Sequence, residues 1–482
     1  MKTIGRKLKL GAFAMLVLSG LGTQCKDNAP SAGTPAPPPT TKANVAVYLT
    51  NPDKSALLTP QGSVYLAAQN SFPTIAVNSN LTFQTIDGFG FTLTGGSALH
   101  LNSMSASARA VLLNELFGQD ETAIGISYLR ISIGGSDLDA TTFSYDDLPA
   151  GQTDVDMTNF SLAPDKQCLI PILKQILAIN PKIKILGSPW SPPAWMKSNN
   201  NPKGGTLKTA YYDAYSKYFV KYVQAMASEG ITIDAITIQN EPLYDGNNPS
   251  MKMLAEEQGA FVKNNLGPAF AAASIKTKII LYDHNADRTD YPISIMDDPD
   301  AKKYVDGSAF HLYGGSISSL SAVHTAHPDK NLYFTEQWTG APGDMANDLK
   351  NGVRDLTIGG TRNWCKVVLQ WNLSSNTLLE PHTAGGCTLC LGAITIDGDV
   401  VSHNPAYYVI GHASKFVRPG SIRIESTSTD NLPSTAFKTP DGKIVVIVVN
   451  NSGSTQSFNI NSGKETFTAN LMSGAVATYV CN

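Results

Sequence analysis

The sequence predicts an α/β protein, a (β/α)8 TIM barrel with an attached antiparallel β-sandwich that the N-terminal and C-terminal segments form together. Three observations predict this class. Between residues 86 and 373, short runs rich in β-branched residues alternate with longer stretches whose apolar residues have helical spacing. The short runs number eight, as a closed parallel barrel requires. Beyond residue 414 no helix-length stretch follows, and the remaining runs are short and separated by turn residues.

Composition excludes several classes of protein. The chain has 482 residues, of which 42% are hydrophobic and 16% are charged, and 36 Lys and Arg stand against 39 Asp and Glu. This near-neutral balance argues against a nucleic-acid or polybasic membrane-surface binder, because both depend on strong electrostatic attraction. The 40 Gly and 28 Pro indicate a globular protein with many turns, so a fibrous or disordered protein is excluded beyond the N-terminus.

Residues 1–24 are typical of a secretory signal peptide, because basic residues precede an apolar run at 10–21 that is too short for a stable membrane anchor. Cys25 follows in a context that resembles a bacterial lipoprotein processing site, although Gln24 departs from the small residues usual there. We expect lipidation of Cys25; the alternative is ordinary secretion with Cys25 as a passenger. The Pro-rich residues 25–43 then form an extended tether. The protein is expected outside the cytoplasm, at the cell surface, as an outer-membrane lipoprotein or secreted.

Residues 44–85 have strand-and-turn character, and we expect them to complete the sandwich from the N-terminal side. Residues 86–413 form the predicted barrel. Its eight predicted strands are Asp87–Phe91, Ile126–Ile131, Ile183–Gly187, Ala235–Ile238, Lys278–Tyr282, Ser308–His311, Leu332–Thr335 and Val367–Trp371. The predicted helices between them include Ser105–Phe117, Cys168–Ala178, Ala210–Glu229 and Ala255–Phe270.

A doubly wound open sheet is the competing architecture for the alternating region. It would carry a Gly-rich phosphate loop after the first strand, but the sequence Gly88-Phe89-Gly90 lacks the third glycine of the dinucleotide fingerprint. Residues 414–482 are assigned to the C-terminal part of the sandwich. The predicted strands there are Ser421–Thr427, Thr435–Thr439, Lys443–Val449, Gln456–Ile460 and Ala475–Cys481.

The cysteines are few and scattered. If Cys25 is lipidated, five remain, so at least one is unpaired. Cys387 and Cys390 have the spacing of half a zinc site, but no second cysteine pair or suitably spaced histidine pair completes it. A disulfide within this loop is the better interpretation in an oxidising compartment.

Two glutamates follow predicted barrel strands directly. Glu241 lies after the fourth strand, in Asn240-Glu241-Pro242, and Glu336 lies after the seventh. Because active sites of such barrels form where strands end, the two carboxyls are expected at one barrel mouth. Glycoside hydrolysis needs such a pair, one protonated to release the leaving oxygen and one ionised to meet the oxocarbenium-like carbon. A separation of roughly 5 to 5.5 Å would make the enzyme retaining.

Several motifs in order resemble glycoside hydrolase family 30, the family of glucosylceramidases, β-1,6-glucanases and related β-glycosidases. The resemblance runs from about residue 86 to the C-terminus. Its motifs are Asp87-Gly88-Phe89-Gly90, Leu129-Arg130-Ile131, Ser136-Asp137, Ser188-Pro189-Trp190-Ser191-Pro192-Pro193-Ala194-Trp195-Met196-Lys197, Gln239-Asn240-Glu241-Pro242, Tyr282-Asp283-His284-Asn285, His311-Leu312-Tyr313, Phe334-Thr335-Glu336 and Gln370-Trp371-Asn372-Leu373. The resemblance implies a barrel with a β-sandwich and a retaining double displacement.

By that resemblance Glu241 looks like the acid/base and Glu336 like the nucleophile. Arg130 resembles the arginine that contacts the nucleophile carboxylate, where it would lower the pKa of Glu336. The other expected substrate-binding residues are Asp137, Trp190, Asn240, His311, Tyr313, Trp371, His284 and Trp338. The alternative for Trp190 and Trp371 is a place in the core, and for His311 a buried structural role.

Two departures argue against a ceramide aglycone. Leu312 stands where glucosylceramidases carry an aromatic residue, and residues 381–390 are closer to bacterial β-1,6-glucanase-type members. We therefore expect a monomeric extracellular retaining β-glucan hydrolase, acting on β-1,6 links, that needs no metal or organic cofactor. The alternatives are a glucosylceramidase, β-glucosidase or β-xylosidase of the same family and, in another class, a noncatalytic surface glycan-binding lipoprotein.

Overall fold

The structure is a computed structural model and describes residues 41–482. The predicted signal peptide at residues 1–24, the lipidation site Cys25 and all but the last residues of the predicted tether at 25–43 lie outside the described residues. Within residues 41–482, no helix is both long enough and apolar enough to cross a membrane.

The first three strands precede the barrel and belong to the sandwich. They are β1 (Val45–Thr50), β2 (Thr59–Pro60) and β3 (Thr74–Thr85). Strand β1 pairs antiparallel with the last strand of the chain, with Val45 opposite Cys481. The two ends of the described chain therefore meet in one sheet, as the sequence predicts.

Eight parallel strands then close into a barrel, and the last of them pairs with the first. They are β4 (Gly88–Thr92), β5 (Tyr128–Ser132), β6 (Lys184–Ser188), β7 (Ala235–Thr237), β8 (Lys278–Asn285), β9 (Val305–His311), β10 (Asn331–Glu336) and β11 (Cys365–Asn372). Every residue of β4 and β5 is buried, because helices cover one face and the barrel interior the other. The barrel and its eight predicted strands are confirmed.

The helices lie mainly between barrel strands. They are α1 (Gly95–Ser103), α2 (Ala106–Phe117), α3 (Ala163–Lys166), α4 (Leu169–Ile179), α5 (Tyr212–Ser228), α6 (Ala255–Phe261), α7 (Gly267–Ala272), α8 (Asp290–Met296), α9 (Pro299–Lys302), α10 (Leu320–Ala326), α11 (Met345–Gly352) and α12 (Pro405–Ser414). Side chains cap several of them; Ser105 Oγ accepts the Ala108 N–H at the start of α2. The predicted helix 255–270 is divided by a π segment, Val262–Leu266, between α6 and α7.

Beyond the barrel, a small sheet of β12 (Ser374–Ser375), β13 (Ile394–Asp397) and β14 (Val400–His403) precedes α12. The sandwich strands follow. They are β15 (Ile422–Ser426), β16 (Ser434–Lys438), β17 (Ile444–Val449), β18 (Gln456–Asn461), β19 (Thr466–Leu471) and β20 (Val476–Cys481). With β1 to β3 they form a nine-stranded sheet in the order β19-β18-β3-β15-β16-β17-β20-β1-β2. The predicted sandwich lacked β19, although Phe467, Ala469 and Leu471 are buried and alternate with polar residues.

Strand β17 explains how the sandwich is attached to the barrel. All six of its residues are buried, and they alternate between two cores. Ile444, Val446 and Val448 belong to the core of the sandwich, whereas Val445, Ile447 and Val449 pack with the barrel. Because side chains of a strand point to opposite faces in turn, an unbroken apolar run is what a strand between two cores requires.

Candidate active site

The site is built on a buried ion-pair network inside the carboxyl end of the barrel. Arg130 on β5 is fully buried, and its guanidinium lies 2.8 Å from Asp283 and 2.6 Å from Glu336. The same guanidinium donates to the Asn240 amide oxygen at 2.5 Å. Below it, an apolar layer that includes Tyr128 fills the barrel interior. Burial of a cation requires such partners, so strand ends that converge on one axis fix Arg130 in place.

Asp283 is the acceptor at the centre of this network. Besides the ion pair, it accepts hydrogen bonds from Ser188 at 2.8 Å, Thr237 at 2.7 Å and Thr335 at 2.6 Å. Burial acts to raise its pKa, but the charge of Arg130 and the contact with His311 outweigh burial and hold the pKa well below its usual range. Asp283 is therefore a fixed negative charge beneath the site.

The two glutamates lie above this layer. A carboxylate oxygen of Glu241 and one of Glu336 lie within 4.8 Å of each other. Glu336 also accepts a hydrogen bond from the Tyr313 hydroxyl at 3.0 Å. Such a short separation is that of retaining enzymes, since inverting enzymes leave room for a water molecule between the two carboxyls.

His311 lies between the glutamates and Asp283. Its Nδ1 is 3.0 Å from Glu241 Oε1, and its Nε2 is 3.2 Å from Asp283 Oδ1. Burial acts to lower the pKa of His311, but the charge of Glu336 and the bonds to Asp283 and Glu241 outweigh it and raise that pKa to about 9. At neutral pH the imidazole is therefore protonated and donates to Glu241.

The pKa values of the two glutamates shift in opposite directions. Burial raises the pKa of Glu336, and the charges of His311 and Arg130 reverse this only in part. The expected lowering by Arg130 is thus present but smaller than the effect of burial. Burial also acts to raise the pKa of Glu241, but the hydrogen bond from His311 and the positive charge of that ring outweigh burial, so the pKa of Glu241 is lowered. The proton that Glu241 would deliver therefore lies on its hydrogen-bond partner His311.

Backbone strain is concentrated around these side chains. Glu241 has a φ of 46°, and the consecutive residues Tyr282 and Asp283 have φ of 71° and 72°. These values lie in the left-handed region that residues other than glycine rarely adopt. The Glu241 N–H donates to the Asp283 carbonyl at 3.0 Å, so the two strained segments support each other. They re-aim the side chains at the ends of β7 and β8.

A cavity of about 500 Å³ opens above the glutamates. Eight of the predicted site residues line it: Asp137, Trp190, Glu241, His284, Tyr313, Glu336, Trp338 and Trp371. The rings of Trp190 and Trp371 lie 5.3 Å apart, and the Arg130 guanidinium lies 4.8 Å from the Trp190 ring. Trp190 Nε1 is buried with no hydrogen-bond partner among residues 41–482.

Asp137 is the third carboxyl of the cavity. Burial, together with the negative charge of Glu336, raises its pKa to about 7, while a hydrogen bond from the Cys387 N–H opposes the rise. The structure pairs Cys387 with Cys390 in a disulfide, which confirms the expected loop disulfide. Among residues 41–482 the other cysteines, Cys168, Cys365 and Cys481, are unpaired.

Three predicted residues do not line the cavity. Arg130, Asn240 and His311 lie behind the glutamates, where their contacts are with protein groups. His284 lies beside Glu241, at 4.0 Å, and burial lowers its pKa to about 4, so that its ring is neutral at pH 7. The neutral ring contrasts with the protonated ring of His311.

Sequence reasoning missed some residues of the site. Asp283 lies in the motif Tyr282-Asp283-His284-Asn285, but the sequence predicted no role for it. It follows the buried apolar run 279–281, and a carboxylate buried there needs a partner, which is the signal that could have found it. Tyr244, Asn247 and Asn285 also line the cavity. Tyr244 and Asn247 come from the loop after β7, whose conformation the sequence pattern does not reveal, whereas Asn285 is the last residue of β8.

Glu241, His311 and Glu336 also form a group that could offer ligand atoms to a cation. Each is already engaged: Glu336 with Arg130, and Glu241 with His311. The donor set therefore serves internal ion pairs, and the positive charge at this point is supplied by Arg130 and His311.

Known proteins resemble this chain in sequence and in structure. The profile of the family described as "Glycosyl hydrolase family 30 TIM-barrel domain" matches residues 86–417, and that of the "Glycosyl hydrolase family 30 beta sandwich domain" matches residues 420–479. The endo-1,6-beta-D-glucanase neg1 of Aspergillus fumigatus is 35% identical over 82% of this chain and 85% of its own. The lysosomal acid glucosylceramidase of Mus musculus is 28% identical over 77% of this chain and 76% of its own. The solved structure of the endo-beta1,6-glucanase BT3312 superposes with a TM-score of 0.85 at 36% identity, covering 91% of this chain and 99% of that one.

Proposed function

Because the chain belongs to glycosyl hydrolase family 30 and is a retaining glycoside hydrolase, we propose that it cleaves β-1,6-linked glucan internally, with Glu336 as nucleophile and Glu241 as acid/base. The observation that carries the proposal is the pair of carboxylate oxygens within 4.8 Å at the base of one cavity. Substrate class follows from relatives named endo-1,6-beta-glucanases at 35% and 36% identity.

In the first step Glu336 attacks the anomeric carbon, and Glu241 protonates the departing glycosidic oxygen. A covalent glycosyl-enzyme forms and the leaving sugar departs. Arg130 at 2.6 Å and the Tyr313 hydroxyl at 3.0 Å hold the Glu336 carboxylate in one orientation. That orientation matters because a misplaced nucleophile loses much of the advantage of proximity.

His311 supplies the proton for this step. Its Nδ1 proton moves along the 3.0 Å hydrogen bond to the Glu241 carboxylate, and the carboxyl group formed in this way passes a proton to the leaving oxygen, which leaves His311 neutral and Glu241 ionised. Asp283, hydrogen-bonded to Nε2, keeps the second ring proton in place. In the second step Glu241 accepts a proton from the attacking water and His311 is recharged. The ester to Glu336 then breaks with net retention of configuration.

The cavity suits a neutral sugar. Three tryptophans, Trp190, Trp338 and Trp371, offer apolar ring faces, and Asp137 offers a hydroxyl acceptor. The chain's low charge agrees with such a substrate, which provides nothing for electrostatic steering. A noncatalytic glycan binder has no need of the paired carboxyls or of a buried proton donor, and this supports the enzyme.

We also propose that the protein acts outside the cytoplasm. The Cys387–Cys390 disulfide supports this, since disulfides persist in oxidising compartments. A lipid anchor at Cys25 stays a prediction from the sequence. Its test is a Cys25→Ser variant, which should leave the membrane fraction for the soluble one if the cysteine is lipidated.

The proposed function is tested by incubating the protein with β-1,6-glucan, β-1,3-glucan, xylan and glucosylceramide. We expect mixed oligosaccharides from β-1,6-glucan and little product from the others. Glu336→Gln is the matched control and should be inactive. Preferred release of glucose from glucosylceramide, or of xylose from xylan, would replace the β-1,6-glucanase proposal with one of its alternatives.

A further inference from the structure

One wall of the cavity is formed by residues 383–391, which we call the disulfide loop. Its ends are fixed to different parts of the barrel rim. The Thr383 N–H donates to the Asp137 carbonyl at 2.9 Å, and the Leu391 N–H donates to the Thr339 carbonyl at 3.0 Å. Between these anchors Asn248 Nδ2 donates to the Ala384 carbonyl at 3.1 Å and the Ala341 N–H donates to the Leu389 carbonyl at 2.8 Å. The turn 385–388 lies between these contacts, and the disulfide links its two sides.

The disulfide loop holds Asp137 by both its main chain and its side chain. Besides the Thr383 contact, the Cys387 N–H donates to Asp137 Oδ2 at 3.1 Å. The loop is in close contact here, because a Cβ added to Gly386 would overlap the Asp137 carbonyl oxygen. Among residues 41–482, the backbone donors to this carboxylate are the N–H of Asp137 itself and the N–H of Cys387. Asp137 depends on it for its orientation.

The disulfide closes the turn that presents this N–H. Both Cys387 and Cys390 line the cavity, and they pack in one apolar cluster with Trp190, Trp338 and Trp371. Cys390 is 4% exposed, whereas Cys387 is half-buried and open to the cavity. A small dithiol can therefore reach the bond from the cavity side.

We propose that the Cys387–Cys390 disulfide positions the sugar-binding carboxylate of Asp137, so that its reduction weakens glucan binding while the catalytic glutamates keep their geometry. This inference rests on the proposed function. On reduction, the bond takes up two electrons and two protons from a dithiol, which becomes its own disulfide, and two thiols remain. The freed turn gains conformational freedom, and the Cys387 N–H no longer points steadily at the carboxylate.

The effect should fall on KM and not on kcat. The catalytic glutamates are held by Arg130, His311 and Tyr313, none of which belongs to the disulfide loop. A hydrogen bond to a charged group is worth about 1.5 kcal/mol or more, so we expect KM to rise about tenfold. We expect kcat to stay within about twofold, since an interaction equal in ground and transition states changes KM alone.

The experiment compares oxidised protein with protein reduced by dithiothreitol and capped with iodoacetamide, using a soluble β-1,6-linked gluco-oligosaccharide. Thiol titration verifies that two additional thiols appear on reduction, and circular dichroism checks the fold. The double variant Cys387→Ser with Cys390→Ser should reproduce the reduced protein. Cys168→Ser, a cysteine outside the cavity, is the matched control and should respond to reduction as the wild type does.

A double-mutant cycle separates positioning from general stability. In Asp137→Asn the reduction should change KM by less than about twofold, because the group on which the disulfide acts is altered. Equal KM before and after reduction overturns the inference, and so does an equal response in Asp137→Asn or loss of the fold on reduction. Absence of product from the oxidised wild type would instead overturn the proposed function, so the two failures are distinguishable.

Discussion

Asp283 offers the sharpest test of how the buried network works. Replacing it with Asn keeps the shape but removes the charge that faces Arg130 at 2.8 Å and His311 at 3.2 Å. Breaking a buried ion pair in this way costs about 3–5 kcal/mol of stability. Loss of one charge-assisted hydrogen bond, about 1.5–3 kcal/mol, should lower kcat/KM about 10- to 150-fold because Arg130 and His311 lose an anchor.

The pH dependence carries the more specific part of this prediction. Asp283 helps to raise the pKa of His311 to about 9, so the Asn variant should lose the His311 proton at lower pH. The basic limb of the kcat/KM profile should then move to lower pH. The assay is the initial rate on β-1,6-gluco-oligosaccharide between pH 4 and pH 10, with stability from urea unfolding.

Asp306→Asn is the matched control for Asp283→Asn. Asp306 lies at the opposite end of the barrel, where it accepts hydrogen bonds from Tyr333 at 2.5 Å and Asn331 at 2.8 Å. That variant should lose stability but keep the wild-type pH profile. An Asp283→Asn enzyme whose basic limb coincides with that of Asp306→Asn would refute the proposed link between Asp283 and the proton on His311.

Three further changes have expected outcomes. Glu241→Ala should retain activity on substrates with activated leaving groups but lose it on glucan, and equal loss on both would contradict the acid role. Trp190→Phe should lose some stability, because the indole is buried and the smaller ring leaves a cavity, and KM should rise about 2- to 10-fold because the ring lines the cavity of the site. An unchanged KM would argue against a sugar contact. Lys197 is buried and donates to Ser191, Pro202 and Ser250, and burial lowers its pKa to about 7 from 10.5. The unfolded chain therefore binds more protons than the folded protein above pH 7. The free energy of unfolding of the wild type, relative to that of Lys197→Met, should rise by on the order of 1 kcal/mol per pH unit from pH 7 to pH 9. A difference in urea unfolding that does not change with pH would contradict this.

The barrel was predictable because its strands carry their information locally. Runs such as 128–132 and 185–188 are buried on both faces, so their composition alone predicts buried strands. Strand β19 was missed although Thr466–Leu471 alternates polar and buried apolar residues, and it lies at the edge of the sheet. It pairs antiparallel with β18 across a short turn, with Asn461 opposite Thr466, so this hairpin is a local feature that the sequence interpretation missed.

The residues of the site that lie directly at strand ends were predictable from the sequence. Glu241 and Glu336 follow directly from position, since the carboxyl ends of barrel strands converge. The proton on His311 and the hub role of Asp283 depend on contacts between strands far apart in sequence, such as Arg130 with Asp283. The disulfide loop reaches Asp137 across about 250 residues, a separation that no local pattern encodes.

The central claim is that Glu336 forms the covalent intermediate while Glu241 handles the proton. The most direct measurement is to react the oxidised protein with an activated 2-deoxy-2-fluoro-β-glucoside, digest it with pepsin and sequence the labelled peptide by mass spectrometry. We expect a single fluoroglucosyl group esterified to Glu336. A label on Glu241, or on any residue other than Glu336, would contradict it.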